Sequence, residues 1–500
     1  MAEPFPRRSP TMLPPAADAP DLTRRKALRI GAGALGGLAL GGLACAPAQA
    51  LPAALALPRR VRLALREAGI EPANCSLVVR DLRLGTPLVD WLPERPRSPA
   101  SVLKLVTMYT ALNLLGPTYC WRTPVLAVGP LDAGVLAGDL AFIGSGDPHL
   151  MAQDLWQLAL RLRGLGLRRI AGNVLIDRSA FALAPHDPGA FDGDALAPYN
   201  VGPDAFLVNF GSLQWHLQPQ GDKVGVWVEP PVEGLAPTPP RLAAGPCGDW
   251  RQRLQPDFSQ PLAPRFDGSF AAECGERSWN IAALMPADAF VQAVLAAVFA
   301  QVGIEWSGSV VSGRVPPQAQ LLTTWDSQPL AVLMRDIDKY SNNVMTQQVF
   351  LTLALHAGQA PADFARAAAV TRQWLDAHGL PMPDLVLDNG CGLSRRARVS
   401  AGDIERLLRT AWRGPLMPEF VASLPLAGED GTLRERLRVD GLRGMLHAKT
   451  GTLDGVFALA GYLQAGDGRR RTLAALINDP RADRAWPVMQ ALLEHAAGLS

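Results

Sequence analysis

The apolar positions of the chain fall into three textures. Near Arg59–Gly69 they recur with a helical period, and Ser76-Leu-Val-Val-Arg80 and Pro87-Leu-Val-Asp-Trp91 read as two strands joined by a turn at Leu84-Gly85-Thr86. Pro99-Ala100-Ser101 then opens a helix that ends near Leu115, ahead of Gly116-Pro117. Apolar residues lie on every side of that helix, which predicts burial all round at the centre of its domain.

From about 120 to 320 the runs are short and broken by Gly and Pro, as in Gly138-Asp-Leu-Ala-Phe-Ile-Gly144 and Gly172-Asn-Val-Leu-Ile-Asp177. This predicts mostly β structure, with one helix near Ala287–Val302 and a loop or boundary at Pro230–Pro246. Beyond 320 the helical period returns with Leu330, Leu333, Met334 and Ile337, and a second apolar helix runs from Val344 to about Leu355. Gly444–Thr452, Val456–Leu463 and Thr472–Asn478 read as consecutive antiparallel strands, followed by a helix from Ala482 to Leu499. There is no internal repeat. Strands and helices at both ends around a different middle predict one α/β domain interrupted by a long insertion. The expected division is 1–50 as an export signal, 51–120 as the first part of the domain, 121–320 as two nested inserted domains, and 321–500 as the second part.

Composition narrows the partners. Hydrophobic residues make up 48% of the 500, enough for packed cores, which excludes disorder as the main state. The 48 Lys and Arg nearly balance the 46 Asp and Glu, so no global field attracts nucleic acid or an anionic membrane. Only five basic residues are lysines: Lys26, Lys104, Lys223, Lys339 and Lys449. Lys can lose its proton at moderate pH and Arg cannot, so each lysine is a candidate for chemistry.

Thr23-Arg24-Arg25-Lys26-Ala27-Leu28-Arg29 precedes an uncharged run from Ile30 to Ala44, and Ala48-Gln49-Ala50 supplies a cleavage site. This is the layout of an export signal. The run falls short of the ~20 residues of a spanning helix, so no permanent membrane span is expected. The arginine pair resembles a twin-arginine signal, with Ala27 where that pattern has Phe, and a general secretory signal is the alternative. Cys45 as a lipidation site is opposed by Gly42, where a lipobox has Leu. Gly31-Ala-Gly33-Ala-Leu-Gly36 matches a dinucleotide fingerprint but follows no strand, so it carries no cofactor expectation. The predicted location is the periplasm.

Cleavage near Ala50 leaves five cysteines: Cys75, Cys120, Cys247, Cys274 and Cys391. Cys247 and Cys274, each followed by Gly in loop-like sequence, are the expected disulfide, and Cys391 is expected to stay a free thiol. No CxxC, HExxH or HxH occurs, so neither a metal nor another cofactor is expected.

Three short motifs carry the chemistry. Ser101-Val-Leu-Lys104 sets a hydroxyl and an amine one helical turn apart, so that a neutral Lys104 could take the Ser101 proton. Ser341-Asn342-Asn343 sits between two helices, where such residues are also ordinary turn formers. Lys449-Thr450-Gly451-Thr452 lies on a predicted strand, with Gly451 permitting close approach of a ligand backbone and Lys449 a positive charge; a protective lysine on an edge strand is the plain alternative. Each is weak alone, but their order, SxxK, SxN, KTG, resembles that of penicillin-recognising serine enzymes. The 240 positions between Ser101 and Ser341 narrow the resemblance to the S13 D-alanyl-D-alanine carboxypeptidases, the type-4 penicillin-binding proteins, because a compact β-lactamase has a shorter interval. Asp388-Asn-Gly-Cys-Gly-Leu-Ser-Arg395 resembles that family's DGSGLSR segment, with Asn389 and Cys391 as departures that leave the loop's shape open. Pro198–Ala205 and Gly172–Phe181 resemble stretches of its inserted region.

The resemblance, over roughly residues 55–495, implies a transpeptidase-like fold, an antiparallel sheet with helices on both faces. It implies acyl transfer with Ser101 as nucleophile, Lys104 as base with its pKa lowered by burial and by Lys449, Ser341 as proton relay, and Asn343 holding the substrate amide and Lys104. Lys449, Thr450, Gly451 and Thr452 would take the terminal carboxylate of a D-Ala-D-Ala peptide, and the N–H groups of Ser101 and Thr452 the oxyanion. Arg395 would recognise an anionic side-chain terminus such as that of diaminopimelate, or serve structurally; His447 would line the pocket or pack. Implied partners are peptidoglycan stem peptides, their cross-links and β-lactams. A serine β-lactamase and a non-catalytic peptidoglycan-binding protein are the rival readings.

Overall fold

The computed structural model describes residues 57–438 and 441–499. The expected export signal, residues 1–50, lies outside them. Helix α1 (Arg59–Ala68) leads into strands β1 (Cys75–Asp81) and β2 (Pro87–Trp91) and helix α2 (Lys104–Leu114). Residues 122–326 follow with β3 (Arg122–Val128), β4 (Asp139–Ile143), α3 (Ala152–Gly164), β5 (Val174–Asp177), β6 (Ser212–Gln220), β7 (Lys223–Glu229), β8 (Arg277–Ala282), α4 (Ala287–Val302), β9 (Val310–Ser312) and β10 (Gln320–Asp326), among further strands. The chain continues through α5 (Leu330–Lys339), α6 (Asn343–His356), α7 (Phe364–Ala377), α8 (Ala401–Arg413) and α9 (Met417–Ser423). It closes with β11 (Leu446–Leu453), β12 (Val456–Gln464), β13 (Arg470–Asn478) and α10 (Trp486–Ala497).

Burial along β12 and β13 explains the architecture around the site. Both are buried at consecutive positions, so both faces of their sheet must be covered. The sheet runs β11-β12-β13-β1-β2, antiparallel throughout. Ala458, Ala460 and Tyr462 face α2 and α8, whereas Phe457, Leu459 and Leu463 face α1 and α10. Helix α2 is buried from Lys104 to Leu112 without a break, as the all-round apolar pattern predicts. The first and last parts of the chain thus build one body.

Between them, the mixed sheet β9-β5-β4-β3-β10 and the antiparallel sheet β7-β6-β8 share a separate core with α3 and α4. Strand β10 pairs with β3, so this region's sheet extends to Asp326, past the expected 320. The expectation of one helix in the middle is corrected: α3 is a second, burying Leu155, Leu158, Ala159 and Leu162. Exposed Trp156 and Leu160 blur its apolar period in the sequence. Two boundaries also shift. The helix expected from Pro99 begins as a 3-10 turn over Ala100–Leu103, with Ala100 at φ 45°. The last helix starts at Trp486 after a 3-10 turn at Ala482–Arg484. Cys247 and Cys274 are joined as a disulfide, and Cys75, Cys120 and Cys391 are free.

Candidate active site

The three motifs meet where α2 begins, under the edge strand β11. Two glycines permit this. A Cβ on Gly451 would stand 2.7 Å from Pro99 O and 2.9 Å from Ser101 N, so β11 comes within van der Waals reach of the Ser101 backbone only without a side chain. Gly392, at φ 86°, presses on the Ala100 carbonyl from the other side. The strained φ of Ala100 is held between these two walls.

Lys104 is wholly buried, and its Nζ lies 3.0 Å from Ser101 Oγ, 2.7 Å from Asn343 Oδ1 and 2.8 Å from Cys391 O. Asn343 Nδ2 donates to Tyr199 O at 3.0 Å, which fixes the amide with its oxygen toward the lysine. Two carbonyl acceptors match the two hydrogens of a neutral amine and leave its lone pair for the Ser101 hydroxyl. Burial pulls the amine from 10.5 down to about 8, while Asp338 and the Cys391 thiol work against that fall. The sequence reading assigns part of this lowering to Lys449. In the structure burial is its cause, and the repulsion between the two lysines is expressed on Lys449.

Lys449 is also wholly buried, and its Nζ donates to Ser341 Oγ and Thr450 O, each at 2.8 Å. Burial first, then the charge of Lys104, holds its pKa well below the ordinary lysine range, and Asp338 opposes this. Ser341 sits at φ 58°, a left-handed turn that directs its hydroxyl to Lys449 instead of continuing α5. Strand alternation puts Lys449 on the α2 side of the sheet and Thr450 and Thr452 on the other. Thr450 Oγ1 meets Thr432 Oγ1 at 2.8 Å, and Thr452 is exposed.

The loop resembling DGSGLSR is knitted by its own departures. Asn389 Oδ1 accepts from the backbone N–H of Cys391 and Gly392, each at 3.2 Å, and its Nδ2 donates to Leu393 O at 2.7 Å. Cys391 contributes its carbonyl to Lys104 while its thiol is buried beside Gln347. Arg395 donates to Asp454 O at 2.9 Å and lies 5.0 Å over the Phe191 ring, in a cleft of about 560 Å³ that also includes His186 and Asn389. His447 is half-buried, its Nδ1 without a hydrogen-bond partner, and burial with the nearby Lys339 lowers its pKa.

Sequence reasoning missed a layer behind these residues. Asp338 is wholly buried: one carboxylate oxygen accepts from Ser423 Oγ at 2.7 Å and the other has no partner. Burial raises its pKa to about 6, against the pull of Lys449, Lys104 and Lys339. Lys339 Nζ donates to Leu424 O at 2.9 Å and pairs with Asp430 at 2.6 Å. These contacts pin the end of α5, and so Ser341, to the segment that flanks β11, where Leu426 bridges His447. The signal was Asp338 itself, an ionisable residue one position after the core residue Ile337 on the apolar stripe of α5.

Known proteins resemble this chain along most of its length. The sequence matches the model of the D-Ala-D-Ala carboxypeptidase 3 (S13) family over residues 59–497. The D-alanyl-D-alanine carboxypeptidase DacB of Haemophilus influenzae is 25% identical over 425 residues, 82% of this chain and 86% of that protein. The D-alanyl-D-alanine carboxypeptidase of Actinomadura sp. is 28% identical over 426 residues, 81% and 78% of the two chains. Among solved structures, penicillin binding protein 4 (dacB) from Haemophilus influenzae is similar at TM-score 0.71 and 23% identity, covering 88% of this chain and 98% of that one.

Proposed function

Because the chain belongs to the D-Ala-D-Ala carboxypeptidase 3 (S13) family, we propose that it is a serine D,D-peptidase that removes the terminal D-alanine from peptidoglycan stem peptides through an acyl-enzyme on Ser101. The observation that carries the mechanism is the placement of Lys104 Nζ, 3.0 Å from Ser101 Oγ and shared with two carbonyl acceptors.

Ser101 Oγ attacks the carbonyl carbon of the penultimate D-alanine as its proton passes to Lys104. The N–H groups of Ser101 and Thr452 take the developing oxyanion, each such donor being worth about 10²–10³ in rate. The proton reaches the leaving D-alanine nitrogen through Ser341, whose hydroxyl Lys449 holds at 2.8 Å. The C–N bond breaks, leaving the acyl group on Oγ. Water, giving its proton to Lys104, then releases the shortened peptide and restores Ser101. Lys449 holds the carboxylate together with Thr450, Gly451 and Thr452, which reach it over the open edge of β11. A β-lactam enters the same route and stays bound as a slowly hydrolysed ester.

Arg395 and its cleft recognise an anionic side-chain terminus such as that of diaminopimelate, and His447 lines the carboxylate side. Residues 1–50 direct export to the periplasm, where the Cys247–Cys274 disulfide persists. Residues 51–120 and 327–500 form the catalytic domain around an inserted region that runs to Asp326.

Mass spectrometry of the products from a purified cross-linked muropeptide tests this reading. Loss of one D-alanine is expected from pentapeptide ends, cleavage of the cross-link would add endopeptidase activity, and an unchanged muropeptide would refute it. Rapid nitrocefin turnover would favour a β-lactamase.

A further inference from the structure

We propose that the inserted region carries a binding cleft for the glycan strand of peptidoglycan, a polymer of linked N-acetylated amino sugars, at the sheet β7-β6-β8. This rests on the reading of the protein as a wall-acting peptidase. Strand β6 alternates: Leu213, Trp215 and Leu217 are buried in the core while Gln214 points the other way, and the cleft opens at the strand's start, where Leu213 and Gln214 both line it. The register sets Glu229 of β7 and Asn280 of β8 directly opposite Gln214. Cross-strand partners share a face, so three polar side chains form one row about 10 Å long.

Helices α3 and α4 wall that row with Gln153 and Trp156 on one side and Gln301 on the other, enclosing about 590 Å³. That volume lies in the range of small-ligand clefts, roughly 300–1,000 Å³. Trp156 is 41% exposed, an unusual state for so large a ring, and it stacks on no other aromatic among the described residues. The side-chain amides of Gln153, Gln214, Asn280 and Gln301 make no hydrogen bond to protein among the described residues. An open aromatic face with planar amides beside it suits a pyranose, whose C–H face stacks and whose hydroxyls and acetamido groups pair with amides. Glu229 is the one ionisable side chain in the lining, so nothing there attracts a phosphate or a nucleic acid.

The lip of the cleft is strained independently of these side chains. Asn209, Phe210 and Gly211 are left-handed in succession, at φ 50°, 56° and 59°, and Phe210 is a bulky residue for which this is costly. Asn209 N–H to Leu150 O and Asn209 Nδ2 to Ser212 O, both 2.9 Å, hold the run in place. Phe210 lines the cleft and also packs against the core that contains α2 and α6. The cleft is therefore tied to the body that carries Ser101, and a glycan seated there would present its attached peptides beside that body.

The test measures retention of the full-length protein on glycan strands stripped of their stem peptides, with the same strands in isothermal titration. Wild type and Ser101→Ala should both bind. Trp156→Ala should weaken binding about tenfold, Trp156→Phe should restore most of it, and Gln214→Ala should weaken it again. No binding, or binding by Trp156→Ala and Gln214→Ala as tight as by wild type, would overturn the cleft. Binding to peptide-bearing fragments but not to stripped strands would overturn it too, by assigning the cleft to peptide. Penicillin labelling is measured in parallel, so that glycan binding without labelling refutes the acyl-enzyme reading while supporting the cleft.

Discussion

Lys104 Nζ lies 2.7 Å from Asn343 Oδ1, although the two residues stand 239 positions apart. The contact joins the first motif to the second and sets which way the amine's hydrogens point. Asn343→Asp places a carboxylate there instead, which stabilises the charged amine. The pH midpoint of acylation by a fluorescent penicillin should move up by at least one unit. Asn343→Ala should slow acylation about 100-fold without a shift of that size.

The amine titrates near 8, and only its neutral form accepts the Ser101 proton. Below that pH the neutral fraction falls about tenfold per unit. The second-order rate of penicillin acylation should therefore climb between pH 6 and about 8 and level off above. A flat profile over that range would exclude Lys104 as the base. Ser101→Ala should abolish labelling at every pH.

Asp338 opposes the lowering of both Lys104 and Lys449. The charged groups that bear on it are Lys104, Lys339 and Lys449, and Ser423 supplies its one hydrogen bond. Asp338→Asn keeps the shape and removes the charge. The acylation midpoint should move to lower pH, and KM for a D-Ala-D-Ala peptide should rise as Lys449 loses its counter-charge. Ser423→Ala, which removes only the hydrogen bond, should leave the midpoint nearly in place; equal shifts in the two variants would mean a structural role.

Gly392 has no room for a side chain above Ala100 and a φ that L residues rarely adopt. Gly392→Ala should destabilise the fold by about 1–3 kcal/mol, read as a lower midpoint in urea. Penicillin acylation should fall with it, because the turn that presents Ser101 shifts.

Arg395 is held by Asp454 O and Phe191 without an ion pair to any protein carboxylate among the described residues. Arg395→Ala should raise KM about tenfold for a peptide whose diaminopimelate ends in a free carboxylate. KM for the amidated peptide should change little. Equal losses on both substrates would assign Arg395 to packing.

The legible parts of this molecule were those fixed by local pattern. The unbroken apolar surface of Ser101–Leu115 implied a helix at the centre of a core, and the shortage of lysine drew attention to Lys104 and Lys449. Both are wholly buried in the structure. Helix α3 was obscured because Trp156 and Leu160 on its exposed face blur the period of Leu155, Leu158, Ala159 and Leu162, and the 3-10 start of α2 because Gly392 and Gly451, distant in sequence, shape the turn before it.

Sequence by itself determined the order of the three motifs, the interval that separates the first two, and the insertion that fills it, since these are properties of spacing along one chain. Tertiary structure alone decided what surrounds each group. The Cys391 carbonyl at Lys104, the Tyr199 carbonyl at Asn343 and the buried charge of Asp338 all depend on packing between segments far apart in the chain. So does a lysine near 8, because desolvation is a property of the closed core and no local stretch of residues carries it.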